Sequence, residues 1–210
     1  MLNCLGVDQS LTATGVCLLQ FDPLTEKSKI SKIETIITKE KGVKRLIVIR
    51  DKLRDYYQPS VVVITRENYA FTVQSRSTYS TGELGGIIAV DIFEKGFKPG
   101  ENFFIVHNTT WKKFFLGQGN VKKDTEYLMK MYKAFKIEFR SDGESDSYCL
   151  SLIGAYIYSI KKGLMKFSNL NDIQQTCLLD VKKLKEAELT QPKAIKQLND
   201  DDKLKYMIDF

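Results

Sequence analysis

The 210 residues suffice for one well-buried core plus an appendage, and fall short of two full-sized domains around a cleft. With 43% apolar and 11% aromatic residues, wholesale disorder is not expected, while 32 Lys and Arg against 26 Asp and Glu, a formal net charge of +6, favour a polyanionic partner. Four cysteines without a CxxC pair and a single histidine leave little from which to build a zinc site or a Cys/His nucleophile.

The opening residues, MLNCLGVDQS, lack the basic start and long apolar run of a secretory signal, and no later stretch is apolar for the length of a membrane span. The expectation is a cytoplasmic protein with reduced thiols and no membrane association. Residues 3 to 9 and 14 to 20 are short apolar runs joined by polar SLTA, the pattern of two neighbouring antiparallel strands, and the alternating KISKIETIIT at 29 to 38 supplies a third. From Lys44 to Tyr57 apolar residues recur at helical spacing, and VVVIT at 61 to 65 is a continuous β-branched run. A helix leading into a buried, parallel strand is the expected arrangement.

Residues 78 to 95 predict a second helix carrying Gly82, Gly85 and Gly86. Each glycine lowers helix propensity by roughly 1 kcal/mol relative to alanine, so three together suggest close packing against another backbone. ENFFIVH at 101 to 107 predicts a strand, and NTTWKKFFLG at 108 to 117 a short helix. The basic loop QGNVKKD precedes a helix at 124 to 135, and a long last helix is predicted at about 144 to 161. The expected organisation is a main domain over 1–162 and a polar, mainly helical C-terminal appendage over 163–210.

Acidic residues at the ends of buried strands are costly unless they bind a cation or are well hydrogen-bonded. Asp8 ends the first apolar strand, and Glu67 directly follows VVVITR. The cluster SDGESD opens the last helix, where Asp142 and Asp146, four apart, share one face and Glu144 points elsewhere. Taken singly, Asp8 reads as a strand-end turn former and Asp142 as a helix N-cap. Taken together, carboxylates converging from two strands and a helix can hold a pair of hard divalent cations through oxygen. Two such ions about 3.5–4 Å apart can activate water and stabilise a leaving oxygen in phosphodiester hydrolysis.

The order of motifs resembles the RuvC-type Holliday-junction resolvases, with features of their phage branch. GVDQSLTATGVCLL is similar to the first-strand motif, VVVITRENYAF followed by STGELGGII to the second, TTWKKFFLGQGNVKKD to the third, and SDGESDSYCLSLIGAY to the closing acidic helix. The likeness spans about residues 3 to 160. It implies an α/β, RNase H-like fold, a mixed central sheet flanked by helices, with the C-terminal helical extension outside it.

The resemblance further implies metal-binding acids at Asp8, Glu67 and Asp146 for two Mg²⁺ ions, with Mn²⁺ able to substitute. Where the family has an Asp or a His three residues before the last Asp, this sequence has Gly143. Asp142 is the candidate substitute and Glu144 the second choice. Lys123 matches a lysine that lies near the scissile phosphate in the family, where a cation offsets developing charge. Tyr69 and Phe71 resemble the aromatic position presented to bases at the junction, although one of them can equally be core. Arg76, Lys112, Lys113 and Lys122 are candidate phosphate contacts, each also readable as a solvated surface charge.

His107 reads as a hydrogen-bonded packing residue. Branched DNA is the implied partner, four-way junctions above all. Two symmetric nicks in such a junction call for a homodimer, with the helix at 78 to 95 as the expected interface. No nucleotide cofactor is expected, and a phage source would place the protein in the host cytoplasm.

Three alternatives stand beside this reading. Sugar kinases and actin-like ATPases also open with an Asp-containing hairpin, but need a second domain and a second glycine-rich phosphate motif that this chain lacks. A non-catalytic junction-binding protein would account for Gly143. Another nuclease of the same fold, acting on RNA/DNA hybrids or more broadly on branches and replication forks, is the third.

Overall fold

The computed structural model describes residues 1–68, 76–123, 126–179 and 198–208. The chain begins as a meander of β1 (Leu2–Asp8), β2 (Thr14–Phe21) and β3 (Ser28–Ile36), antiparallel throughout. The β1–β2 turn is held by its own hydroxyls: Thr14 Oγ1 donates to the Ser10 carbonyl, and the Ser10 amide donates back to Thr14 Oγ1 at 3.2 Å. After α1 (Gly42–Arg54), β4 (Val61–Glu67) joins β1 in parallel, and after α2 (Arg76–Glu94), β5 (Phe103–Val106) joins β4 in parallel. The sheet order is β3-β2-β1-β4-β5, which puts β1 at the centre.

This mixed five-stranded sheet is covered on both faces, which is why β1 and β4 read as nearly unbroken apolar runs. On one face Leu5, Val7 and Ile64 meet Leu53 of α1 and Leu84, Ile88 and Ile92 of α2. On the other, Cys4, Val63 and Phe104 meet Leu150, Ile153 and Ile157 of α5 (Asp142–Lys161), joined by Trp111 of α3 (Asn108–Leu116) and Tyr127 of α4 (Tyr127–Phe135).

Helix α5 is buried along nearly its whole length from Glu144 to Ile160, and it lies unusually close to the sheet. A side chain at Gly6 would overlap the Ser147 carbonyl and the Ser151 amide. Ser151 Oγ uses that closeness to donate to the Cys4 carbonyl at 2.8 Å. Nearer its start the helix rests on the β1–β2 hairpin in the same way, and a Cβ at Gly15 would run into the Gly143 backbone. Ser141 caps the helix by accepting from the Glu144 amide at 3.2 Å.

The predicted elements all appear, with shifted ends. β4 runs two residues beyond the predicted 61–65 to include Glu67, and α5 starts at Asp142 rather than at 144. The helix expected from 124 is seen from Tyr127, residues 124–125 lying outside the described part. Beyond Gly163, a 3₁₀ turn (Phe167–Asn169), α6 (Asp172–Leu178) and α7 (Asp200–Lys205) follow. Their Phe167 and Leu178, together with Leu170 and Met207, extend the core on the α5 side. Among the described residues no helix is long and apolar enough to cross a membrane.

Candidate active site

Parallel pairing of β1 with β4 sets Val7 opposite Arg66, so the next residues, Asp8 and Glu67, leave the two strands side by side. Alternation along each strand puts both carboxylates on the α5 face, with Cys4 and Gly6 on one strand and Val63 and Thr65 on the other. From above, the second turn of α5 delivers Asp146, only 1% exposed. From the side, the loop between α3 and α4 delivers Lys123, whose Nζ lies 2.6 Å from Asp146 Oδ2.

The electrostatics are those of acids short of positive charge. Burial drives the Asp8 carboxyl well above the usual carboxylate range; a hydrogen bond shared with Glu67 and the negative charges of Glu67 and Asp146 add to the rise, and Lys123 offsets part of it. For Lys123, burial works against the charge, but Asp146, Asp8 and Glu67 together leave the ammonium more firmly protonated than usual. Asp146 is held further by Tyr127, whose hydroxyl donates to Oδ1 at 2.5 Å, and by Ser145 Oγ at 3.3 Å. Burial and the Asp146 charge push the Tyr127 hydroxyl far up, which keeps it a donor.

Two buried carboxylates, Asp8 and Asp146, and the half-buried Glu67 beside one ammonium offer hard oxygen donors of the kind that suits Mg²⁺-like cations. Among the described residues, no three His, Cys, Asp or Glu side chains are drawn together into a ready metal cage. The Lys123 ammonium lies where a cation would relieve the acids. The chemistry of the donors fits a divalent ion.

The remaining predicted residues separate into groups. Asp142 is half-buried on the first turn of α5, and the charges with the strongest hold on Asp8 are Glu67 and Asp146 rather than Asp142. Glu144 folds back before the helix, accepting from the Arg140 amide at 2.9 Å and pairing with Arg140 Nε at 3.5 Å, so it points away from the acids. Lys113 and Lys122 are exposed. Lys112, expected as a surface phosphate contact, is instead buried: its Nζ donates to the Val121 carbonyl at 3.3 Å and lies over the Trp111 and Tyr127 rings. Its place on the inward side of the short helix α3 turns the ammonium into the molecule.

Tyr69 and Phe71 lie outside the described residues, as does the side chain of Arg76, which opens α2. His107 is exposed rather than packed, and its Nε2 accepts from Asn68 Nδ2 at 2.8 Å, tying the ends of β4 and β5 together.

Two contributors escaped the sequence reading. Tyr127 is one of ten tyrosines, and nothing in its local pattern singles it out. Arg66, buried on the far face of β4, donates through Nη1 to Gln9 Oε1 at 3.3 Å and to the Glu67 carbonyl at 3.0 Å, which braces the ends of β1 and β4. A charged residue inside an apolar strand next to the candidate acid was the available signal.

No protein-family model matches the sequence, and no curated protein matches it. Solved structures do. RuvC of Thermus thermophilus superposes with a TM-score of 0.60 at 19% identity, covering 76% of this chain and 95% of that one. The same organism's RuvC in complex with a Holliday junction substrate gives 0.62 at 18% identity, with the same coverage. The chain therefore has an RNase H-like α/β fold. Within that class its arrangement of sheet and helices is similar to that of RuvC.

Proposed function

We propose that this protein is a divalent-metal-dependent endonuclease that resolves four-way DNA junctions. The observation that carries the reading is the convergence of Asp8, Glu67 and Asp146 at the carboxyl ends of two adjacent parallel strands and the start of α5, on a RuvC-like fold. These three acids would hold two Mg²⁺ or Mn²⁺ ions, with Asp142 reaching in from the same face of α5. Held there, such ions would supply the activation of a water and the stabilisation of a leaving oxygen for phosphodiester hydrolysis, with 5′-phosphate and 3′-hydroxyl ends as the expected products.

The chain's own groups divide the remaining work. Tyr127 and Ser145 fix the Asp146 carboxylate in one orientation. Lys123, 2.6 Å from Asp146 and 41% exposed, would meet the charge that develops on a phosphate brought to the acids. Lys113 and Lys122 offer exposed positive charge to flanking phosphates, and Tyr69, Phe71 and Arg76 remain the candidates for contact at the branch point.

A two-fold dimer would present two such sites to a two-fold symmetric junction and make paired nicks. Helix α2 is the proposed interface: Tyr79, Val90 and Phe93 are 79%, 58% and 60% exposed, and Gly82 and Gly86 on the same helix face open space.

A second reading, a junction-binding protein that does not cut, is favoured by one feature, Gly143 in the place of an expected acid. The deciding test is cleavage of a labelled four-way junction, beside a linear duplex and a Y-fork, in Mg²⁺ or Mn²⁺ and in EDTA. Paired symmetric nicks that need metal and vanish in Asp8→Asn are the expected result. Equal cutting of forks would make it a broader branch nuclease, and tight binding without cutting would replace the nuclease reading with the binding one.

A further inference from the structure

A groove of about 660 Å³ runs between the loop after α3 and the outer side of α4, away from the acids, in the size range of small-ligand sites. Its lining is largely apolar, with half-buried Phe115 and exposed Ala134 among it, and the Phe115 ring is steadied edge-on against Phe135 at 5.5 Å. Lys122, Lys130 and Lys133 also line it, Lys130 in an ion pair with Glu126 at 3.9 Å, and Gln118 adds an amide that can donate and accept. One aromatic ring, three lysines and the amides of Gln118 and Asn120 match the three parts of a nucleotide: a base face, a phosphate and a base edge.

Two separate elements place this groove next to the candidate active site. In the loop, Lys123 turns to Asp146 while its neighbour Lys122 lines the groove. On α4, Tyr127 donates to Asp146 while Lys130, about one turn further on, lines the groove. The loop after α3 and helix α4 therefore each carry one residue that contacts Asp146 and others that line the groove.

We infer that this groove holds an unpaired nucleotide of branched DNA flanking the scissile phosphate, with its base on Phe115, its phosphate on the lysines, and Gln118 at the base edge. Such a subsite gives the cut a preference for the base at that position. The inference rests on the nuclease reading for what lies beside the groove.

The test uses the full-length chain with Asp8→Asn, so that DNA stays intact, and four-way junctions carrying a single 5-iodouracil at successive positions around the branch. Photocrosslinking followed by peptide mapping is expected to join one position to the segment containing Phe115 and Gln118. Ala134→Glu, at an exposed site, obstructs the groove and should reduce that crosslink about tenfold, the order expected for losing one stacked base. Lys136→Ala, a charge change of equal size past the end of α4, should leave it within about twofold, as expected of a general surface charge.

No crosslink to this segment, one that survives Ala134→Glu, or one equally sensitive to Lys136→Ala would overturn the inference. Because the crosslink needs no cleavage, a wild-type protein that fails to nick junctions would sink the nuclease reading while leaving the groove decided by its own result.

Discussion

The face of the sheet under α5 and the face under α1 and α2 bury similar aliphatic side chains but differ in what lies among them. Beneath α5, Asp146, Ser145, Ser147 and Ser151 are almost wholly buried, and helix backbone approaches strand backbone at Gly6 and Gly15. Beneath α1 and α2, the centre is Leu5, Ile64, Leu84 and Ile88, and buried Asp91 is matched by Arg54 through a short ion pair. The polar, tightly docked face carries three neighbouring acids against the one ammonium of Lys123; the apolar face carries a helix whose outer side is itself partly apolar. A helix brought close by glycines can aim a carboxylate with little slack, whereas a helix held by aliphatic packing leaves its outer side available to a partner.

The largest expected effect breaks the chemistry of the α5 face. Asp8→Asn should lower junction cleavage by at least about 10³-fold, the loss expected when a ligand to catalytic metal is removed. In EDTA the same variant should be more stable, because a buried carboxyl that repels Glu67 and Asp146 has been removed. The sign follows from linkage. A folded-state pKa above the unfolded value means that the folded protein holds the proton more tightly, so metal-free stability falls as pH rises from the ordinary carboxylate range through the raised value. Melting curves between pH 4 and 8 should show that slope in wild type and a flatter one in Asp8→Asn, with about 2–4 °C gained per kcal/mol relieved.

Next in size, Gly6→Ala should cost about 3 kcal/mol in urea unfolding, because the added methyl group meets the helix backbone rather than a side chain that could move. On the opposite face, Gly86→Arg meets open space and should change monomer stability by no more than about 0.5 kcal/mol, while abolishing the dimer in sedimentation. Dimerisation that survives Gly86→Arg would remove α2 as the interface.

The smallest effect sharpens the comparison. A Cβ at Gly143 makes only ordinary contact, 3.4 Å from Gly15 Cα, so Gly143→Asp should fold and add a carboxylate beside Asp8. It should lower the Mg²⁺ concentration for half-maximal cleavage about two- to fivefold, equivalent to about 0.5–1 kcal/mol of added binding. An unchanged metal requirement would mean that the fourth acid has no role here.

Much of the architecture was legible locally. Strand alternation, the β-branched run before Glu67 and helical spacing each depend on residues a few positions apart, and these placed Asp8 and Glu67 at strand ends. The charge at Lys112 was misread because whether a lysine on a short helix faces out depends on what packs beside that helix, here the Trp111 and Tyr127 rings. Tyr127 was missed for the same reason, since its partner Asp146 belongs to a different helix.

By itself the sequence determined that a mixed sheet would form and that acids would stand at the ends of its central strands, because solvation cost and backbone periodicity act over short range. Tertiary structure alone decided that Lys123 and Tyr127 would seize Asp146, that Glu144 would turn back to Arg140, and that α5 would sit against Gly6 and Gly15. Those outcomes depend on how far apart two backbones come to rest, a distance set by the packing of the whole core.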